Sequence, residues 1–391
     1  MNQTPQLRNS SLSRLSSDLV GSRSVDKCSS EAMASAGVGI TRTTAPEITS
    51  AGDTTHISGK KTERIAALDF TKGALVLVMV LYHWLNYFVS PQGSFYRYLS
   101  FLPPSFICIT GFLISQVYLS KYRVTDPRLP RRLAIRGLKI LGIFILLNAG
   151  ITLLIPKSYD GKYLLDNFSV KILESIFVTG NMTSGRLVAF YVLVPISYLL
   201  LLSACLLIVG KYYKYIFHVT TMLGLLFILI LDISGSKSGS LELLTIGLLG
   251  ISIGYIPLNK VNQVLRHPLA VVLAYLCYVA AITVWNVPYP LQVAGVLLTL
   301  MVIYMLGVVG GDAGRMQRTF ITLGKYSLFA YIGQIAILQM LRRSLQMDLS
   351  AWALGASFLV ATALTIITVE VLDLARAKVA VVNRMYAAVF S

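Results

Sequence analysis

Charge is scarce in this sequence. Only 13% of its 391 residues are Asp, Glu, Lys or Arg, about half of what a soluble domain carries. An ordinary soluble globular fold is thereby excluded. Cysteine and histidine occur four times each. Cys28 lies in a Ser-rich stretch, and Cys108, Cys205 and Cys277 lie inside apolar runs. None stands in a CxxC or zinc spacing, which excludes a disulfide framework and leaves small apolar packing residues. No Walker loop, GxSxG elbow, dinucleotide fingerprint or metal-ligand constellation occurs, so no metal and no permanently bound cofactor is expected. The N-terminus carries no apolar h-region of a cleavable signal peptide.

Acidic residues are the scarcer charge, 17 against 34 basic ones, giving a net charge of +17. Residues 1–63 contribute about +1 of this, and the apolar remainder about +16. Nucleic-acid binding is a poor reading of charge spread through greasy sequence. The Lys/Arg bias of cytoplasmic membrane loops accounts for it directly.

What the chain has is apolar length. It is 55% hydrophobic with a mean hydropathy of +0.70. Apolar runs of about 20 residues recur along it, which predicts an all-α, polytopic integral membrane protein. Spans must be helical, because lipid leaves an open backbone unsatisfied. About ten are expected, near 66–88, 98–119, 133–155, 186–209, 214–233, 240–258, 268–287, 291–309, 319–341 and 351–374. Residues 1–63, poor in large apolar side chains, read as a disordered cytosolic tail. Residues 64–376 form the membrane domain, and 377–391 a short cytosolic tail. Basic residues concentrate in alternate connections: 120–132, 210–214, 258–267, 310–318 and the C-terminal tail. These are taken as cytoplasmic, with Arg342 and Arg343 as an exception on the other side. Both termini are then cytosolic, and the mixed 156–185 loop faces outward. No inverted repeat of the transporter type is present.

The first span, "LDFTKGALVLVMVLYHW", poses the functional question. Ten uncharged residues separate Lys72 from His83. At about 100° per residue the two lie within about 20° of one face, and Asp69 joins that face. Lys72 and His83 are about 16 Å apart along the axis, so His83 is near the bilayer midplane if Lys72 is at the headgroups. An ionisable group at that depth needs a partner or a cavity. A neutral histidine bonded to a neighbouring helix is one reading. A base at the bottom of a cavity is the other, for which the near-neutral pKa of histidine is suited. Asp69 is about 21 Å away and cannot orient it.

These residues resemble the membrane acyltransferase 3 family. Lys72-x10-His83 is similar to its Arg/Lys-x10-His signature, and "RIAALDFTKG" to the start of its first span. "FICITGFLIS" (106–115) resembles its second-span motif, with Thr110 where that motif has Ser. "RRLAIRGLKIL", "AFYVLVPISYLLLL" and "LGKYSLFAYIGQ" (323–334) resemble three later motifs in order. Lys139 stands near a usual proline, and Gln334 where a histidine often ends the late motif. These departures leave room for a remote branch of that superfamily, such as the glucan-succinylating or the glucosaminide N-acetylating membrane enzymes.

The resemblance implies an acyl-CoA-dependent O-acyltransferase of a bacterial plasma membrane. An acyl group, most commonly acetyl, would move from a cytosolic donor to a hydroxyl of a glycan, lipid or other surface acceptor. His83 would be the general base or carry a transient acyl group, and Lys72 and Asp69 would begin the path to it. Arg132, Arg136 and Lys139, at i, i+4 and i+7, form a basic stripe suited to the donor phosphates. Ordinary positive-inside flanking explains that stripe equally well. Tyr331 and Gln334 are candidate oxyanion or acceptor groups, or polar glue between helices. Thr110 and Gly111 more simply permit close helix packing. The competing class is a transporter or flippase for a glycan or lipid.

Overall fold

The computed structural model describes residues 65–90, 93–119, 126–154, 190–213, 215–236, 238–285, 288–310, 314–345 and 350–390. The chain divides into two compact units, 1–59 and 60–391, and every described residue lies in the second. The expected N-terminal tail, the 156–185 loop and residues 120–125 of the 120–132 connection lie outside the described residues.

Among the described residues all regular structure is helical. The elements are α1 (Ala66–Phe88), α2 (Tyr96–Leu99), α3 (Leu102–Leu113) running into a π-helical turn (Ile114–Leu119), α4 (Arg128–Leu154), α5 (Leu193–Val209), α6 (Ile216–Ile233), α7 (Gly239–Ile253), α8 (Leu258–Val264), α9 (Pro268–Val284), α10 (Tyr289–Val309), α11 (Arg315–Lys325), α12 (Ser327–Ser344), α13 (Ala351–Lys378) and α14 (Ala380–Phe390). Among the described residues, six helical segments are long and apolar enough to cross a membrane. The number rises to eight if α7–α8 and α11–α12, bent by 99° and 92°, each make one span. The chain is therefore an all-α, multi-pass protein. The ten spans expected from the sequence are not confirmed by these numbers. Helices α5 and α9, which would make up the difference, have 17 residues each, at the lower end of the length that crosses a bilayer at 1.5 Å per residue. The expected straight span 319–341 is broken at Tyr326.

The surface fits a lipid environment. Large apolar side chains point outward on α6, α9 and α13, including Ile233, Leu276 and Leu359. Tyr212, Tyr213, Trp285 and Trp352 are exposed near helix ends, where aromatic belts form. Hydroxyls inside the helices satisfy themselves on carbonyls one turn back. Thr71 donates to Ala67 O, Thr110 to Phe106 O and Ser203 to Leu199 O, at 2.8, 2.8 and 2.6 Å. That local bond removes the cost of a polar group in an apolar medium.

Two helix pairs approach through glycine. On α1 and α11, a Cβ on Gly73 would strike Phe320 O, and one on Gly324 would strike Asp69 O. On α3 and α7, Gly111 meets Gly247 O, and Gly250 meets Cys108 O. Close backbone contact of this kind replaces the hydrophobic drive that lipid removes. The first pair sets Asp69 and Lys72 against the end of α11. The second holds α3 while Ser115 donates to Ile251 O and Gln116 to Gly254 O and Ile256 O, bracing the α7–α8 bend.

Candidate active site

The α1–α3–α12 junction encloses a cavity of about 580 Å³, within the usual range for a small-molecule site. On α1 it is lined by Ile65, Leu68, Asp69, Lys72 and Met79, the helical face predicted from sequence. His83 is one turn beyond Met79 on that face. On α3 and its π turn the lining runs from Phe106 and Thr110 to Tyr118. π turns inside helices frequently mark functional sites, because the extra residue re-aims the side chains beyond it. Arg136 of α4, Lys325 of α11 and Tyr331 of α12 also reach the cavity. So do Arg376 of α13 and Tyr386 and Phe390 of α14.

Four cations line the cavity, and their partners differ. Lys72 Nζ pairs with Asp69 Oδ1 at 2.5 Å. Lys325 Nζ pairs with Asp373 Oδ1 at 2.7 Å, and the Tyr326 hydroxyl donates to the same oxygen at 2.6 Å. These two ammonium groups are neutralised by carboxylates. The two guanidiniums have neutral partners. Arg136 Nη1 donates to the Tyr118 hydroxyl, and Arg376 donates through Nε and Nη2 to Asn383 Oδ1 at 3.2 and 2.8 Å. Neither arginine is in an ion pair among the described residues. Arg376 lies in the field of the Asp373 carboxylate that Lys325 holds, whereas Arg136 faces the cavity with the Tyr118 hydroxyl as its hydrogen-bond partner.

At the inner end, Tyr331 touches both the cavity and His83. It lines the first, and its ring centroid is 6.2 Å from that of His83. Tyr82 stands edge-on to His83 at 5.3 Å. Phe190 packs edge-on against Tyr331 at 5.9 Å. Phe190 also carries a φ of 66°, a strained conformation for a bulky residue. His83 is half-buried, and its Nε2 is shut off and has no hydrogen-bond partner among the described residues. Gln334 is fully buried, one turn beyond Tyr331, and neither atom of its amide has a partner among the described residues. Polar atoms without partners at this depth are costly, which makes His83 and Gln334 candidates for contact with a ligand.

The structure thus gathers Asp69, Lys72, Arg136 and Tyr331 around one cavity, with His83 and Gln334 just behind its inner end. It does not bring Arg132 or Lys139 to the lining. Arg132 is exposed and Lys139 half-buried on other parts of the α4 surface. Thr110 lines the cavity, and Gly111 serves the packing expected of it. Sequence reasoning missed Tyr118, Lys325 and Arg376. Tyr118 was within reach, two four-residue steps beyond Thr110 on one helix face. No periodic signal joins Lys325 to Arg376, because they sit on different helices.

Comparison with family models, with curated proteins and with solved structures gives no match to this chain. The geometry alone defines the class: a multi-pass helical membrane protein with a cationic cavity that ends beside a half-buried histidine.

Proposed function

We propose that this protein is a membrane O-acyltransferase that uses a cytosolic acyl-CoA donor. The observation that carries the reading is the cavity's polarity along its length. The guanidiniums of Arg136 and Arg376, hydrogen-bonded to the neutral side chains of Tyr118 and Asn383, line one part of it. The other end reaches Tyr331, beside the unpartnered Nε2 of His83. Phosphates of a donor suit the first, and proton transfer suits the second. The resemblance of Lys72-x10-His83 and the later motifs to the membrane acyltransferase 3 family points the same way.

In this mechanism His83 Nε2 takes the proton of an acceptor hydroxyl as its oxygen attacks the thioester carbonyl. The C–S bond breaks, the thiolate leaves, and the imidazolium returns the proton to it. The Tyr331 hydroxyl and the Gln334 amide are donors for the developing oxyanion. The acceptor is a glycan or lipid hydroxyl at the opposite membrane face. About ten spans, including the short α5 and α9, would put both termini on the cytosolic side of a bacterial plasma membrane.

Membranes containing the protein, given acyl-labelled acyl-CoA, are expected to transfer label to extractable glycan or lipid and release free CoA. Movement of an unmodified glycan or lipid without CoA release would overturn the reading in favour of a transporter.

A further inference from the structure

The C-terminal helix α14, at first sight a tail, is built into the cavity wall. Val379 breaks α13 with an extended backbone (φ −117°, ψ 107°), and the chain turns back so that Tyr386 and Phe390 line the cavity. The helix buries no residue completely. What it does instead is hold one side chain. The Arg376 guanidinium lies 4.0 Å from the Tyr386 ring centroid and 5.3 Å from that of Tyr326. Its Nε and Nη2 donate to Asn383 Oδ1. Tyr386 is itself set by an edge contact with Tyr326 at 5.3 Å and a stack on Phe390 at 4.8 Å. A long, flexible arginine is thereby fixed in plane and in rotation, with its Nη1 donors remaining for a ligand in the cavity it lines.

We propose that Arg376 binds a phosphate group in this cavity, and that Asn383 and Tyr386 of α14 are positioning residues for it. The proposal rests on the acyl-CoA reading only for the identity of the phosphate's carrier. Planar, pre-oriented guanidinium recognises phosphate through paired N–H donors, and fixing it beforehand reduces the ordering cost of binding. A lysine cannot reproduce the stack or the fork.

The test is a double-mutant cycle on the full chain in detergent, read by titration with CoA and, separately, with inorganic pyrophosphate. Arg376→Ala and Tyr386→Ala are each expected to weaken binding about tenfold, as for one lost charged hydrogen bond. The double variant is expected to be no weaker than Arg376→Ala, because Tyr386 acts through Arg376. Tyr386→Phe should restore wild-type binding, and Arg376→Lys should not. Additive losses, or unchanged binding by Tyr386→Ala, would overturn the clamp. Pyrophosphate binding that follows this pattern without any CoA binding would support the phosphate site and overturn the acyl-CoA reading. Binding of neither probe by wild-type protein would overturn both.

Discussion

Gly324 of α11 presses against the backbone carbonyl of Asp69 on α1, with no room for a methyl group between them. That contact fixes where the two halves of the cavity's cationic part meet, since Lys72 is one turn from Asp69 and Lys325 follows Gly324. Gly324→Ala is therefore expected to push the helices apart and destabilise the protein by roughly 1–3 kcal/mol. Gly333→Ala, on the neighbouring α12 with open space at its Cβ position, should be neutral or slightly stabilising. Thermal unfolding of both variants in detergent checks this. Equal melting of the two would refute the close-contact account.

The Asp69–Lys72 pair separates a structural role from a binding one. Both side chains are largely buried, at 13% and 17% exposure. Lys72→Met leaves Asp69 uncompensated and should cost about 3 kcal/mol of stability. Adding Asp69→Asn should recover most of that loss. If Lys72 also meets the donor phosphates, the double variant will be stable yet bind CoA more weakly. A double variant with wild-type affinity would confine the pair to structure.

Arg136 and Lys139 lie one turn apart on α4, but only Arg136 reaches the cavity. Arg136→Ala is expected to raise the KM for acyl-CoA by about 10–100-fold, the range of a charged hydrogen bond. Lys139→Ala should change it by less than about threefold, as for a charge away from the ligand. Steady-state kinetics of both variants at equal expression decide the matter. Equal effects would return the whole stripe to ordinary membrane flanking.

These contrasts show what the sequence carries and where it stops. The face of α1 from Asp69 to His83 was legible because one helix obeys one period. The stripe Arg132, Arg136 and Lys139 obeys the same period, yet the structure selects only its middle member. Which part of a helix meets a cavity depends on the neighbouring helix, and α4 is covered near Gly137 by Ser197 and Leu200 of α5. The bend at Tyr326 was hidden because residues 319–341 are apolar enough throughout to read as one straight span. The Arg376–Asn383 contact crosses a helix break at Val379, where periodicity carries no information.

His83→Ala is expected to abolish acyl transfer while leaving a folded protein. Base catalysis contributes about 10²–10⁴-fold, so activity should fall to near background. Stability should fall much less. His83 Nε2 makes no hydrogen bond among the described residues, so the substitution breaks none at that atom, and alanine is easier to place at mid-membrane than histidine. The remaining cost is lost packing against Tyr82 and Tyr331. Tyr331→Phe keeps that packing and removes only the hydroxyl, so it should retain His83's environment and lose the oxyanion donor, lowering kcat by up to about 10²–10³-fold with little change in melting. Labelled-acyl incorporation and thermal unfolding, measured on both variants, separate the two contributions. A folded His83→Ala protein that keeps a sizeable part of its transfer activity would remove histidine from the chemistry. A loss of activity matched by a loss of folded protein would make His83 a packing residue instead.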